Sequence, residues 1–193
     1  RIYAELIFAY ADVMRKEGFI EIKSPKILNS ATEGGANFFK VKYFEKEAYL
    51  AQSPQFYKQA GAGIFERVFE IGPVFRAEPH FTSRHVNEYV SLDAEMSFID
   101  GMEEIMNQLE AVVKKIFLRL ADRCQDDLKK YQVEIPVIKK IPRLRLDEAL
   151  KIIEKEYGKK SEVIDIDPEG ERLIGEWAKK NYDSDFIFLT HYT

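Results

Sequence analysis

Cysteine is almost missing from this chain, with one residue in 193, and histidine is scarce, with three. Cys124 alone can neither close an internal disulfide nor build a cysteine cage for a metal, which suits a reducing compartment. Its expected role is packing on a helix. No apolar run approaches the ~18–20 residues of a membrane span, and no secretory pattern opens the sequence. The expectation is a cytoplasmic protein with no membrane contact. Excess positive charge is absent too: the net charge is −4 with 32% charged residues. No global basic field draws in nucleic acid, which leaves only a local basic groove for that purpose. The chain starts at Arg1 and stops inside the strand-like run "FIFLTHYT", so a piece of a longer protein is expected.

At 46% hydrophobic, the chain is long enough for one sizeable core, since a domain of about 150 residues buries roughly 70% of its unfolded surface. Ile2, Leu6, Ala9, Tyr10, Val13 and Met14 fall at helical spacing from Ile2 to Lys16, with Gly18 as a stop. "GFIEIKSPKIL" then alternates and meets Pro25, which cannot donate to a ladder and suggests an edge or interface strand. Gly34-Gly35 marks a loop. "VKYFEKEAYLAQS" reads as a hairpin with Lys46-Glu47 near its tip, leading to a short helix at "SPQFYKQ" with Pro54 in its first turn.

Asp100 with Glu103 resembles a capping box. The stripe Met102, Ile105, Met106, Leu109, Val112, Val113, Ile116, Phe117 and Leu120 predicts the longest helix. Further helices are expected near Asp147 to Tyr157 and from Asp167-Pro168 to about Asn181. The basic run "IPVIKKIPRLRL" reads as solvated. Strands with intervening helices predict an α+β fold.

The informative stretch is "FEIGPVFRAEPHFTSRHVNEYVSLDAEMSFID", Phe69 to Asp100. Val90, Leu92, Ala94, Met96 and Phe98 point one way and are expected to form core. Tyr89, Ser91, Asp93, Glu95 and Ser97 point the other way. Arg76 and Glu78 share a face on the preceding strand, and antiparallel pairing can set it beside the Asp93 row. Amphipathic strands usually present such rows to water. Here an arginine neighbours the acidic row, and the loop from Pro79 to Val86 is long for a hairpin and adds cations. Arginine grips phosphate in bidentate fashion, a carboxylate accepts from an adenine amino group, and Tyr89 offers a stacking ring. These features suit a sheet that lays out a nucleotide.

"GPVFRAE", "TSRH" and "NEYVSLDAEM" together resemble motif 2 of class II aminoacyl-tRNA synthetases, in the version of aspartyl-tRNA synthetases of archaeal and eukaryotic type. "GFIEIKSPKI" resembles motif 1, "ATEGGANFF" the flipping loop, and "YLAQSPQFYKQ" the aspartate-binding segment. The resemblance covers nearly the whole chain and maps as motif 1 at about 2–28, flipping loop 30–39, aspartate-binding segment 50–59, motif 2 at about 69–98 and a helical region 100–181. Residues 1–193 would then form one partial catalytic domain, an antiparallel β-sheet flanked by helices.

The resemblance implies bent ATP, an aspartyl-adenylate and transfer of aspartate to tRNA(Asp), with tRNA(Asn) left open as a second acceptor. Carried onto matching positions, Arg76 would hold the α-phosphate, Glu78 the adenine amino group, Arg84 and His85 the γ-phosphate, and Tyr89 would stack on adenine. Glu33 would close over the amino group of L-aspartate, with Ser53, Gln55 and Asp93 at that end, while Lys58 would pair with the side-chain carboxylate. Glu95 is either an ion-pair partner or a contributor to metal or ATP binding. His80 reads as a solvated loop residue, and His191 as a strand residue without function. A homodimer is implied through the Ile2–Lys16 helix and the strand to Pro25.

The resemblance also sets limits. "QAGAGIFERVF" looks about a residue shorter than the family pattern. Motif 3 and most Mg2+ ligands are expected beyond Thr193 and an OB-fold before Arg1, so residues 1–193 alone are expected to be inactive. Rivals are an asparaginyl-tRNA synthetase, a paralogue that makes asparagine from aspartyl-adenylate, and a non-catalytic module. Lys58 argues against the first, because an amide has no charge to pair with it.

Overall fold

The computed structural model describes residues 1–30, 38–77, 86–160 and 165–192, arranged as two compact units, Arg1–Ile105 and Met106–Thr193. In the first unit, α1 (Ile2–Lys16) buries Ala9, Tyr10, Ala11, Val13 and Met14. It ends as its sequence dictates: Gly18 takes φ +81°, a left-handed conformation that costs glycine little, and its N–H reaches the Arg15 carbonyl at 3.2 Å.

The following segment serves two sheets. Strand β1 (Ile20–Glu21) runs parallel to β5, and β2 (Ile27–Leu28) runs antiparallel to β4. Pro25 lies between them, so it interrupts no ladder. Strands β3 (Lys40–Tyr43) and β4 (Lys46–Leu50) form the expected hairpin. Its tip is Phe44-Glu45, immediately before Lys46-Glu47: Phe44 makes the turn at φ +54° and Lys46 pairs with Tyr43. Helix α2 (Gln55–Phe65) follows Pro54 and is longer than expected, carrying Gly61 and Gly63 within it.

Strands β5 (Arg67–Phe75) and β6 (Glu88–Met96) pair antiparallel over nine residues, giving the order β1-β5-β6. Arg76 lies one residue past β5, yet its N–H still bonds the Asn87 carbonyl at 2.9 Å. The expected core face of β6 is corrected. Val90 is 38% exposed, Ala94 is exposed, and Leu92 and Met96 are only half-buried. Phe98 has left the strand at φ +54° and is 83% exposed. The buried anchors lie on β5 instead, at Val68, Phe69 and Val74. Helix α2 packs on the polar face, while α1 reaches the other face at Phe69, whose ring meets Tyr10 edge-on at 5.8 Å. Such a pair contributes about 0.5–1.5 kcal/mol beyond its buried area.

Helix α3 (Met102–Arg123) is the longest element, and the boundary between the two units falls within it. At its start the Glu104 carboxylate accepts from the Asp100 N–H at 2.7 Å. In the second unit Cys124 is buried between α3 and α4 (Gln125–Lys130). Strand β7 (Arg143–Arg145) shows that the basic run is partly sheet, paired in parallel with β8 (Phe188–Thr190). Helices α5 (Leu146–Tyr157) and α6 (Pro168–Tyr182) build a core of Ala149, Ile153, Leu173, Ile174, Trp177 and Ala178. His191 lies just after β8, exposed.

Candidate active site

A lysine reaches the polar sheet face because α2 can lie close to it. A Cβ at Gly61 would stand 3.3 Å from Val68 Cγ1, so glycine permits the helix to approach β5. At the helix start, Ser53 Oγ accepts from the Gln55 N–H at 3.1 Å, and the Lys58 N–H closes the first turn on the Pro54 carbonyl at 2.9 Å. Lys58 is consequently 6% exposed, and an ammonium that deep needs compensation. Its Nζ donates to Asp93 Oδ1 at 2.9 Å and stands 3.6 Å from Glu95 Oε2.

Asp93 is fixed from two further sides. The Ser91 hydroxyl donates to Asp93 Oδ2, and the Tyr10 hydroxyl donates to the Asp93 carbonyl at 2.9 Å. Burial, helped by the Asp93 charge, pushes the Tyr10 phenol well above its usual range. Tyr10 therefore stays a hydrogen-bond donor at any physiological pH.

The strand register lays out the rest. Along one face the opposed pairs are Val68 with Glu95, Glu70 with Asp93, Gly72 with Ser91, and Val74 with Tyr89. Arg76, bonded to Asn87, continues the alternation onto that face. Arg76 and Tyr89 thus occupy one end and Lys58, Asp93 and Glu95 the other. Four residues separate Tyr89 from Asp93, roughly 13 Å along the strand.

A second ion pair lies beside the first. Glu70 is 1% exposed and receives Lys26 Nζ at 2.6 Å and the Ser24 N–H at 3.2 Å, while Lys26 also donates to Ser24 Oγ at 3.0 Å.

Of the residues expected from sequence, Lys58 and Asp93 are in contact, Ser53 and Gln55 open the helix that carries Lys58, and Arg76 and Tyr89 share the sheet face. Glu33, Glu78, Arg84 and His85 lie outside the described residues, as does His80. Glu95 stands 3.6 Å from Lys58 Nζ as an ion-pair partner. Sequence reasoning did not single out Tyr10, Ser91, Lys26 and Glu70 as site residues. Ser91 was findable, two positions before Asp93 on one face, and so was Glu70, a carboxylate inside the apolar run "VFEIG". Among the described residues no three His, Cys, Asp or Glu side chains gather in one place.

This geometry can be set beside known proteins. The family model described as tRNA synthetases class II (D, K and N) matches residues 1–193. An aspartate–tRNA(Asp/Asn) ligase of Aeropyrum pernix is 50% identical over 188 residues, covering 95% of this chain and 42% of the relative. An aspartate–tRNA(Asp) ligase of Pyrococcus abyssi is 44% identical, covering 100% of this chain and 44% of the relative. The chain thus spans less than half the length of these relatives. Among solved structures, Pyrococcus horikoshii asparaginyl-tRNA synthetase complexed with asparaginyl-adenylate superposes with a TM-score of 0.85 at 30% identity, over 99% of this chain and 44% of that one. An aspartyl-tRNA synthetase from Entamoeba histolytica gives 0.79 at 31% identity, over 98% and 36%. The match from end to end, on an α+β fold whose paired strands carry the Arg76 and Asp93 face, means that this chain belongs to the class II tRNA synthetases of the D, K and N group.

Proposed function

We propose that this chain supplies the amino-acid end and part of the nucleotide end of a site that forms aspartyl-adenylate, within an ATP-dependent ligase that joins L-aspartate to tRNA(Asp). The observation that carries the reading is Lys58, an almost fully buried ammonium held by Asp93. An ammonium has three N–H donors. One is engaged by Asp93 at 2.9 Å, and Glu95 at 3.6 Å stands beyond hydrogen-bond reach. Among the described residues donor capacity therefore remains for a carboxylate, while Asp93 offers negative charge to a substrate ammonium. An amino acid with a carboxylate side chain satisfies both, and asparagine satisfies only one. The aspartate–tRNA ligases of Aeropyrum pernix and Pyrococcus abyssi support the same choice.

In the first step an oxygen of the substrate α-carboxylate attacks the α-phosphorus of ATP, and the bond to pyrophosphate breaks with its electron pair. No general base is needed, because the attacking group is already an anion at neutral pH. The barrier lies in bringing two anions together and stabilising charge on phosphate. Arg76 would hold the α-phosphate and Tyr89 would stack on adenine, about 13 Å along the strand from Asp93. Bound Mg2+ would neutralise phosphate charge; most of its ligands are expected beyond Thr193. Glu78, Arg84 and His85 would complete the nucleotide end, and Glu33 would close over the amino acid, with Ser53 and Gln55 beside it. In the second step a hydroxyl of the tRNA's terminal adenosine attacks the activated carbonyl and AMP leaves. We place the reaction in the cytoplasm and in a homodimer; tRNA(Asn) remains a second acceptor to assay.

The test is pyrophosphate exchange by the full-length protein. Aspartate should support exchange with kcat/KM at least about 100-fold above asparagine, the factor that two tenfold steps of 1.4 kcal/mol provide. Exchange with asparagine alone would overturn the amino-acid assignment. Exchange with aspartate but no charging of tRNA(Asp) would overturn the ligase assignment in favour of an asparagine-forming enzyme.

A further inference from the structure

The polar sheet face holds two lysines and three carboxylates, and their sorting decides where Lys58 points. Glu70 and Asp93 are directly opposed in register, which sets their β-carbons about 4.5–5.5 Å apart on the same face. Opposed like charges repel, and Lys58 lies within reach of the same patch. Glu70 nevertheless turns away from Lys58, over Gly72: a Cβ on Gly72 would stand 3.0 Å from Glu70 Oε1 and 3.3 Å from Lys26 Cε. The missing side chain is the berth in which this second pair sits. Lys26 enters it from the segment just after Pro25, and the Lys26 carbonyl is itself tied to the Ala51 N–H at 3.0 Å, shortly before α2.

We propose that Lys26 is a positioning residue for amino-acid recognition: by holding Glu70 it prevents that carboxylate from competing with Asp93 for Lys58, and so keeps Lys58 available to the substrate. The inference rests on the aspartate reading above. With Lys26 gone, Glu70 is a buried anion on the same sheet face as Lys58, directly opposite the Asp93 that Lys58 pairs with. Lys58 drawn toward Glu70 loses its alignment on Asp93, and a second protein carboxylate takes the donor that the substrate carboxylate would use. Neither Lys26 nor Glu70 needs to touch the substrate.

The experiment compares the full-length wild type with Lys26→Met, Lys26→Arg and Lys26→Met/Glu70→Gln in pyrophosphate exchange, with secondary structure checked by circular dichroism. The Lys26→Met variant should raise the KM for aspartate roughly tenfold or more, as expected when a buried charge loses its partner, with the KM for ATP within about twofold. Lys26→Arg, which keeps the charge, should stay within about threefold of wild type. The double variant should return most of the way to the wild-type KM, because the competing charge is gone. A double variant as impaired as Lys26→Met, or equal increases in both KM values, would overturn the proposal. If Lys26→Met does not fold, the double variant decides alone, since an aspartate KM tenfold above wild type there has the same meaning. Wild-type exchange with aspartate tests the underlying reading independently of every variant.

Discussion

Lys58 shows why one residue can be both structural and selective. Its side chain is 7% exposed, against 18% for Asp93 and 28% for Glu95, so the carboxylates keep some water while the ammonium keeps almost none. Removing one partner of a fully buried pair typically costs ~3–5 kcal/mol. Partial exposure of the carboxylates should lower that to about 1–3 kcal/mol of stability for Lys58→Met. The same variant should lose aspartate use by roughly 100-fold, because the substrate carboxylate has no counter-charge. Combining Lys58→Met with Asp93→Asn separates the two effects. The pair should regain stability in urea unfolding, since one stranded carboxylate is gone, but should not regain aspartate-dependent exchange. Recovery of both would mean that Lys58 serves the fold and does not select the amino acid.

At the scale of elements, α6 offers a test of how local chemistry starts a helix. Asp167 accepts from the Gly170 N–H at 2.8 Å with Pro168 following, the arrangement that satisfies a free donor in the first turn. The Lys159 hydrogen bond first, and the Gly170 N–H second, hold the Asp167 carboxyl below its ordinary value of 3.8. A carboxylate whose folded pKa is depressed stabilises the fold above its unfolded pKa and loses that effect as pH falls through the lowered folded value. Asp167→Ala should therefore melt a few degrees lower at neutral pH, and the gap should shrink below pH 3.8. Thermal unfolding at a series of pH values checks this, and a gap that persists into strong acid would exclude the carboxylate as its source.

Elements of this kind were legible in the sequence because their causes are local. The Ile2–Lys16 helix with Gly18, the Asp167-Pro168 start and the Lys58 helix after Pro54 all follow from spacing and turn chemistry. Period two says only that the faces of β6 differ; α2, docking through Gly61, covers part of the polar one, and α1 reaches the apolar one at Phe69, which leaves Val90 and Ala94 exposed. The Lys26–Glu70 pair joins residues 44 positions apart, and no local pattern announces such a partner. The face of Glu78 and the cations of the loop that holds Arg84 and His85 were legible from alternation and loop length, while the specific roles of these three and of Glu33 came through motif resemblance; all four remain proposals.

At the scale of the molecule, every described site residue falls in the Arg1–Ile105 unit. That unit also exposes large apolar side chains on α1 and in the segment after it: Tyr3 and Phe8, then Ile20 and Ile27. The family resemblance places a homodimer contact on this helix and the segment after it. The full-length protein is expected to sediment as a dimer at micromolar concentration, and Phe8→Glu should shift it toward monomer with little change in circular dichroism. A wild type that sediments only as monomer would remove the homodimer from the proposal.

The hydrogen bond from Tyr10 to the Asp93 carbonyl has a further consequence. It joins α1 to the residue that holds Lys58, so a displacement of that helix and a displacement of Asp93 are not independent events. Thermodynamic linkage then requires symmetry: if occupancy of the Asp93 site changes the affinity of whatever grips α1 by some factor, the grip on α1 changes amino-acid affinity by the same factor. Tyr10→Phe, which leaves the ring and removes only the hydroxyl, should bring that factor closer to one from both directions at once.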